Sequence, residues 1–262
     1  MDEKDWEKYW KIKLTDLNKA LENNNFTNLD EYSWPMIPYV GPDYAKANKK
    51  ILFVGKEPNG WGENPCSLGK ILKEPNGIER IISEPREFIL NRVVPYYGGE
   101  RGNNPYKTNL LLRLYYFVGK ILCDDRIEPN TRNMNISRKC FRSIAWTNIF
   151  KICTQEENSN VCPPPDSKMK NFLLTDFCTL EYEIEQLRPD LIVFSTGPRY
   201  DNYLEKIFTP KINIISTIHR GISEVKGLTI TAFRTYHFGH RKPRPYELLD
   251  KLIELSFPSK TL

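Results

Sequence analysis

The sequence predicts an α/β sandwich built on a mainly parallel sheet. Short apolar, β-rich segments recur along the chain, and one of them, Leu191-Ile192-Val193-Phe194, is apolar without interruption, as a strand covered on both faces must be. Immediately before it a helical stripe ends in a helix stop, and helix feeding directly into strand is the alternation of α/β proteins. In sheets of this kind ligands bind at the carboxyl ends of the strands. The residues that follow each strand are therefore the candidates for function.

The first element is a helix. Trp6, Trp10, Leu14, Leu17 and Leu21 recur at intervals of four, four, three and four, which is one helical face, and Asn23-Asn24-Asn25 ends it. Such an aromatic stripe packs on the body of the protein. The expected strands are residues 50–55, 143–149, 190–196 and 228–236, with a weaker fifth at 212–216. Ahead of the third, Leu180, Ile184 and Leu187 form the helical stripe that stops at Arg188-Pro189. About eighty residues separate the first two strands, too many for one crossover. This insertion, about 63–140, holds an expected helix at 110–122 and Gly/Asn-rich turns at 98–104. We read it as an elaboration shaping substrate access, within a single domain spanning 1–262 that opens with the helix at about 3–24.

Composition narrows the classes. With 262 residues, of which 40% are hydrophobic, a chain can bury roughly 70–75% of its unfolded surface. One core, or at most two, then forms without disulfides or metals. The start, Met1-Asp2-Glu3-Lys4-Asp5-Trp6, carries acids where a signal peptide needs a basic start and an apolar stretch. Apolar runs such as 51–54 fall far short of the ~20 residues that span a bilayer. A cytoplasmic protein without membrane attachment is expected. Cysteines at 66, 123, 140, 153, 162 and 178 lack the close pair spacing of zinc or iron–sulfur sites, so reduced thiols and no metal are expected. The net charge of +5 favours an anionic partner.

Unusual residues collect after the strands. The first is followed by Gly55-Lys56-Glu57-Pro58-Asn59-Gly60-Trp61-Gly62, the second carries Trp146-Thr147-Asn148, the third Ser195-Thr196-Gly197, and the last Tyr236-His237-Phe238-Gly239-His240-Arg241-Lys242. No Walker A or G-x-G-x-x-G pattern is present; Gly69-Lys70 is followed by Ile71. Taken singly, Glu57 reads as a solvated loop carboxylate, Asn148 as a strand-end turn residue, and His237 as either structural or proton-handling. Taken together, a carboxylate, an amide and a histidine at three strand ends would converge on one crevice with hydrolytic chemistry.

In this order the motifs resemble the uracil-DNA glycosylase superfamily, over about residues 48–65 and 140–250. The resemblance implies a three-layer α/β/α sandwich with a central four-stranded, mainly parallel sheet, and a monofunctional DNA glycosylase needing no cofactor. It assigns water activation to Glu57, recognition of the flipped base to Asn148, stabilisation of the departing base to His237, and the wedge that fills the vacated stack to Arg241. Lys242, Arg244, His240 and Ser195 would contact DNA. The superfamily's last motif continues His-Pro-Ser-Pro, where this chain has His237-Phe238-Gly239-His240. Its uracil-specific members place a tyrosine after the first proline, where this chain has Asn59-Gly60; that opens the pyrimidine C5 side, and Trp61 replaces the missing stacking aromatic.

The chemistry stands without the family name. Glycosidic cleavage passes through an oxocarbenium-like sugar that a carboxylate stabilises while accepting a proton from water. A departing pyrimidine anion needs a hydrogen-bond donor where charge accumulates, an amide reads a base edge, and the nucleotide must leave the stack. The resemblance further implies the base: superfamily branches with a small residue after the first proline admit 5-substituted pyrimidines, and some members excise modified bases such as glucosylated hydroxymethylcytosine from phage DNA, so an antiviral substrate of that kind is expected, with uracil in repair as the other possibility. A lysine nucleophile would signal a lyase mechanism; Lys56 and Lys151 are nearby, but nothing in the spacing singles them out. Competing readings are a non-catalytic DNA-binding module of the same fold and a hydrolase of free nucleosides. The expected partner is DNA, met by a monomer. Between residues 217 and 246 six basic residues (Arg220, Lys226, Arg234, Arg241, Lys242, Arg244) face one acid, Glu224, so this stretch holds the entire net charge and reads as a DNA footprint.

Overall fold

A computed structural model describes residues 3–58, 61, 67–97, 109–123, 127–128, 133–155, 163–205, 209–215, 218–225, 227–239 and 245–256. In chain order the elements are α1 (Glu3–Asn23), β1 (Tyr39–Val40), β2 (Ile51–Gly55), α2 (Leu68–Lys73), α3 (Gly77–Glu87), α4 (Val94–Tyr97), α5 (Asn109–Leu122), α6 (Met134–Arg142) and β3 (Ile144–Asn148). They continue as α7 (Ser167–Thr175), α8 (Leu180–Leu187), β4 (Leu191–Ser195), α9 (Asp201–Leu204), β5 (Thr209–Ile215), β6 (Ile218–Val225), β7 (Leu228–Thr235) and α10 (Pro245–Ser256). The chain divides into two compact units, one of Met1–Tyr39, Gly55–Pro85 and Thr147–Leu187, the other of Val40–Val54, Arg86–Trp146 and Arg188–Leu262. The expected insertion holds α2 to α6 and is shared between the two.

In the first unit the aromatic stripe of α1 is core, as its spacing predicts: Trp10, Leu14, Leu17 and Leu21 are all fully buried. The helix ends where Asn25 adopts a left-handed φ of 55° and Phe26 N donates to Leu21 O at 3.0 Å, a capping role asparagine fills at little steric cost. Trp6 and Tyr9 stack on Tyr182 of α8, with the Tyr9 and Tyr182 ring centroids 3.7 Å apart. Asp166 caps α7 by accepting from Met169 N at 2.8 Å, and Tyr32 donates to the same carboxylate at 2.6 Å. At the end of α8, Arg188 takes a left-handed φ of 43°. Helical backbone is disfavoured before Pro189, so the expected stop is realised one residue past the helix.

The sheet order is β1-β3-β2-β4-β7-β6-β5. β4 pairs in parallel with β2 (Ile51↔Leu191 to Val54↔Phe194) and with β7 (Leu191↔Thr231 to Ser195↔Thr235). All five residues of β4 are buried, as its continuous apolar run predicts. Beyond β7, β6 and β5 add an antiparallel margin.

The α/β class and its mostly parallel sheet follow the sequence; the four-strand count does not, because the sheet has seven strands among the described residues. β1 has only two residues, too few to show alternation. β6 carries His219-Arg220-Gly221, which interrupts any apolar pattern, and pairs through its backbone on both sides. No described helix is long and apolar enough to cross a membrane.

Because Ile192 is fully buried in β4 between two parallel neighbours, Ile192→Ala should lower unfolding free energy by about 2–5 kcal/mol. Ile12→Ala, at a side chain 53% exposed, should change it by less than about 0.5 kcal/mol. Urea denaturation checks both.

Candidate functional site

The sequence-derived site residues fall into two groups, one in each unit. In the first, backbone pairing continues past the strand ends: Ile149 N donates to Gly55 O at 3.0 Å and Phe150 N to Lys56 O at 2.9 Å. This brings the segment bearing Glu57 alongside the one bearing Asn148. The Glu57 side chain is 9% exposed, with the Lys56 ammonium 3.5 Å from Oε1. Read alone it was a solvated loop carboxylate; the structure corrects that reading, since the group is largely withdrawn from water. A carboxylate so confined has few orientations open to it, which a water-activating base requires.

Asn148 is 2% exposed, and its Nδ2 donates to Met36 Sδ at 2.9 Å. A thioether is a weak acceptor, so a base-edge carbonyl would be a better partner for this amide. The asparagine's backbone is fixed more firmly. Lys151 Nζ donates to Asn148 O at 2.7 Å and to Thr147 Oγ1 at 2.6 Å, and lies 2.8 Å from Glu183 Oε1. Glu183 in turn accepts from Thr147 Oγ1 at 2.7 Å and Thr179 Oγ1 at 2.6 Å.

The Lys151 and Glu183 side chains are 2% and 0% exposed. Burial pushes the Lys151 ammonium's pKa down, opposed by the Glu183 carboxylate beside it. With its protons committed and no exposed surface, Lys151 is not placed to attack a sugar, so the lyase possibility finds no support there. Sequence reasoning noticed Lys151 but missed Glu183 and Met36.

The second group is built around the last motif. Ser195, the final residue of β4, is 3% exposed; its Oγ accepts from Phe238 N at 2.8 Å. The structure therefore corrects its expected DNA contact: the hydroxyl is spent on the loop that carries His237. The next residue, Thr196, has a buried hydroxyl with no hydrogen-bond partner among the described residues, and Gly197 takes φ 76°, a backbone setting that favours glycine.

Gly239 N donates to His237 Nδ1 at 3.2 Å. Nδ1 is thus the acceptor, and neutral His237 carries its proton on Nε2. A Cβ at position 239 would lie 2.9 Å from both Cε1 and Nδ1 of that imidazole, so the close approach requires glycine. Phe238 is 4% exposed and packs edge-on against Phe53, with ring centroids 5.9 Å apart, and at the same distance from Phe117. Where the resembling motif has proline, this loop gains its rigidity from a buried aromatic side chain.

Trp61 is buried, 8% exposed. Asn59, His240, Arg241, Lys242 and Arg244 lie outside the described residues. One member of the expected footprint is reassigned: Arg234 is 3% exposed and binds Asp201 through Nε and Nη2, both at 2.9 Å, so it is a neutralised buried group and not a phosphate contact. Among the described residues no cluster of three or more His, Cys, Asp or Glu could hold a metal ion. Compared with known proteins, the chain matches no protein-family model and no curated protein.

Glu183→Gln should strand the buried Lys151 ammonium and lower stability by about 3–5 kcal/mol in urea denaturation. Lys151→Met combined with Glu183→Leu should recover most of that loss, because replacing both ions by apolar groups of similar volume is close to neutral. A loss under about 1 kcal/mol from the single change would mean that the pair behaves as a surface salt bridge.

Proposed function

We propose that this protein is a monofunctional DNA glycosylase with a uracil-DNA glycosylase-like α/β/α sandwich, acting on a 5-substituted pyrimidine. The observation that carries the reading is the Glu57 carboxylate, 9% exposed and on a segment backbone-paired with the one bearing the Asn148 amide. A confined carboxylate beside an amide suits hydrolysis at a recognised base.

In the proposed reaction the nucleotide is extruded from the stack, at a cost of a few kcal/mol, and Asn148 exchanges its Met36 contact for the base edge. The C1′–N1 bond breaks with its electron pair leaving on the base. The role that the superfamily resemblance assigns to His237 is donation from Nε2–H to the pyrimidine O2, where negative charge accumulates. Water adds to C1′, its oxygen forming the new bond and its proton passing to Glu57. The Glu57 charge also stabilises the oxocarbenium-like sugar before water arrives. The products are the free base and an abasic site. Glucosylated hydroxymethylcytosine in phage DNA is the substrate we favour on the open C5 side at Asn59-Gly60, with uracil as the repair substrate to set against it.

A panel of DNAs, each with one defined modified pyrimidine, tests the reading by alkali-sensitive strand cleavage. The wild type should generate abasic sites on at least one 5-substituted member. Glu57→Gln should reduce the rate by about 10²–10⁴-fold, the usual contribution of a general base, while DNA affinity in a filter-binding assay stays unchanged. Cleavage of uracil DNA alone would move the assignment to repair. Binding without abasic sites on any member would replace the enzyme by a binding module.

A further inference from the structure

The insertion was expected to shape substrate access, yet one face of its helix α5 is turned onto the loop that carries His237. Leu110, Arg113 and Phe117 are spaced three and four apart, which aligns them along a single helical face. All three meet the same two residues. The Leu110 Cβ lies 3.8 Å from where a Cβ of Gly239 would stand, the Arg113 guanidinium donates to Phe238 O, and the Phe117 ring packs against Phe238 at 5.9 Å between centroids.

Arg113 is 8% exposed, and burial pushes its pKa down from the usual guanidinium value. A cation kept in such a place requires a strong acceptor, and a backbone carbonyl with its full dipole provides one. Phe238 is thereby held at both ends of its backbone, its N–H by Ser195 Oγ at 2.8 Å and its carbonyl by Arg113. His237 precedes this clamped residue and Gly239 follows it. The Gly239 N–H that sets the imidazole tautomer belongs to the very peptide whose carbonyl Arg113 grips.

We propose that Arg113 is a positioning residue: from the insertion helix it fixes the Phe238–Gly239 peptide, and through it holds His237 in the Nε2–H tautomer that donates to the departing base. The α5 anchor is itself held in place by α10, since Tyr116 donates to Asp250 at 2.7 Å and Lys120 at 3.1 Å. The tautomer claim concerns the protein alone; its consequence for turnover rests on the glycosylase reading.

The experiment measures the imidazole nitrogens of His237 by long-range 1H–15N NMR on the full chain, assigned with His237→Gln, alongside turnover on the modified-DNA panel. In the wild type Nε2 should be the protonated nitrogen throughout neutral pH. Arg113→Met, similar in length but unable to donate, should mix the two tautomers and lower kcat by about 10²-fold, the scale of a small misplacement of a catalytic group, with KM unchanged. Arg113→Lys, which can still reach the carbonyl with a charged donor, should restore the single tautomer and most of kcat.

Should Arg113→Met fail to fold, Ser195→Ala releases the other end of the same residue and should mix the tautomers as well. A folded Arg113→Met with an unmixed Nε2–H signal overturns the proposal, as does unmixed signal in Ser195→Ala when that is the variant that folds. If no DNA in the panel yields abasic sites but the tautomer shifts as expected, the glycosylase reading fails and the positioning role stands.

Discussion

The Lys151–Glu183 pair is the interaction on which the first unit's arrangement depends. Both side chains are out of water, 2% and 0% exposed, and removing two ions from water costs several kcal/mol each. Such a pair persists only if every proton and lone pair is used. Lys151 reaches Glu183, Thr147 and the Asn148 carbonyl, and Glu183 takes in two threonine hydroxyls besides the ammonium. An apolar pair of similar volume would stabilise this core comparably. What it would not supply is direction: hydrogen bonds fix the end of β3 in rotation, and with it where the Asn148 amide points.

The second unit solves the equivalent problem differently. There the residue to be held is His237, and the fixed point is its neighbour Phe238. Its ring meets Phe53 of β2 and Phe117 of α5, while Ser195 and Arg113 take its two backbone groups. Packing sets position to within the width of an aromatic contact, and the two hydrogen bonds set orientation. The Asn148 amide donates to a thioether and His237 Nδ1 accepts from a backbone amide, while charged and hydroxyl groups bond the backbone beside each of them.

The core strands and helix faces were legible because burial imposes periodicity. The stripe of α1 and the continuous run of β4 are patterns that only packed elements need. β1 and β6 escaped because they are recruited by backbone pairing, which leaves no mark on side-chain alternation; β6 with its His219-Arg220-Gly221 is the clearer case. At the site, positions at strand ends could be read, but roles set by tertiary partners could not. Ser195 looks the same in sequence whether its hydroxyl faces DNA or the Phe238 amide. Glu183 sits on an amphipathic helix with other acids at 181 and 185, and nothing local distinguishes the one that is buried. Arg113 did leave a trace, as a lone charge in the apolar run Leu110-Leu111-Leu112-Arg113-Leu114, where an unpartnered guanidinium would be too costly to keep.

Charge counting has the same blind spot. Six basic residues against one acid between 217 and 246 suggested a footprint, but Arg234 is ion-paired with Asp201, which lies outside that window. Asp201 is itself 47% exposed, so the pair presents a carboxylate edge, not a guanidinium, to solvent. The long-range field of the protein is unchanged by this pairing, since the net charge is a sum. The phosphate-contacting field is not, because phosphate contacts are made within a Debye length, about 8–10 Å at physiological salt, and depend on which charges stand at the surface. Of the six basic residues counted, Arg234 is therefore the one that its own ion pair removes from the expected footprint.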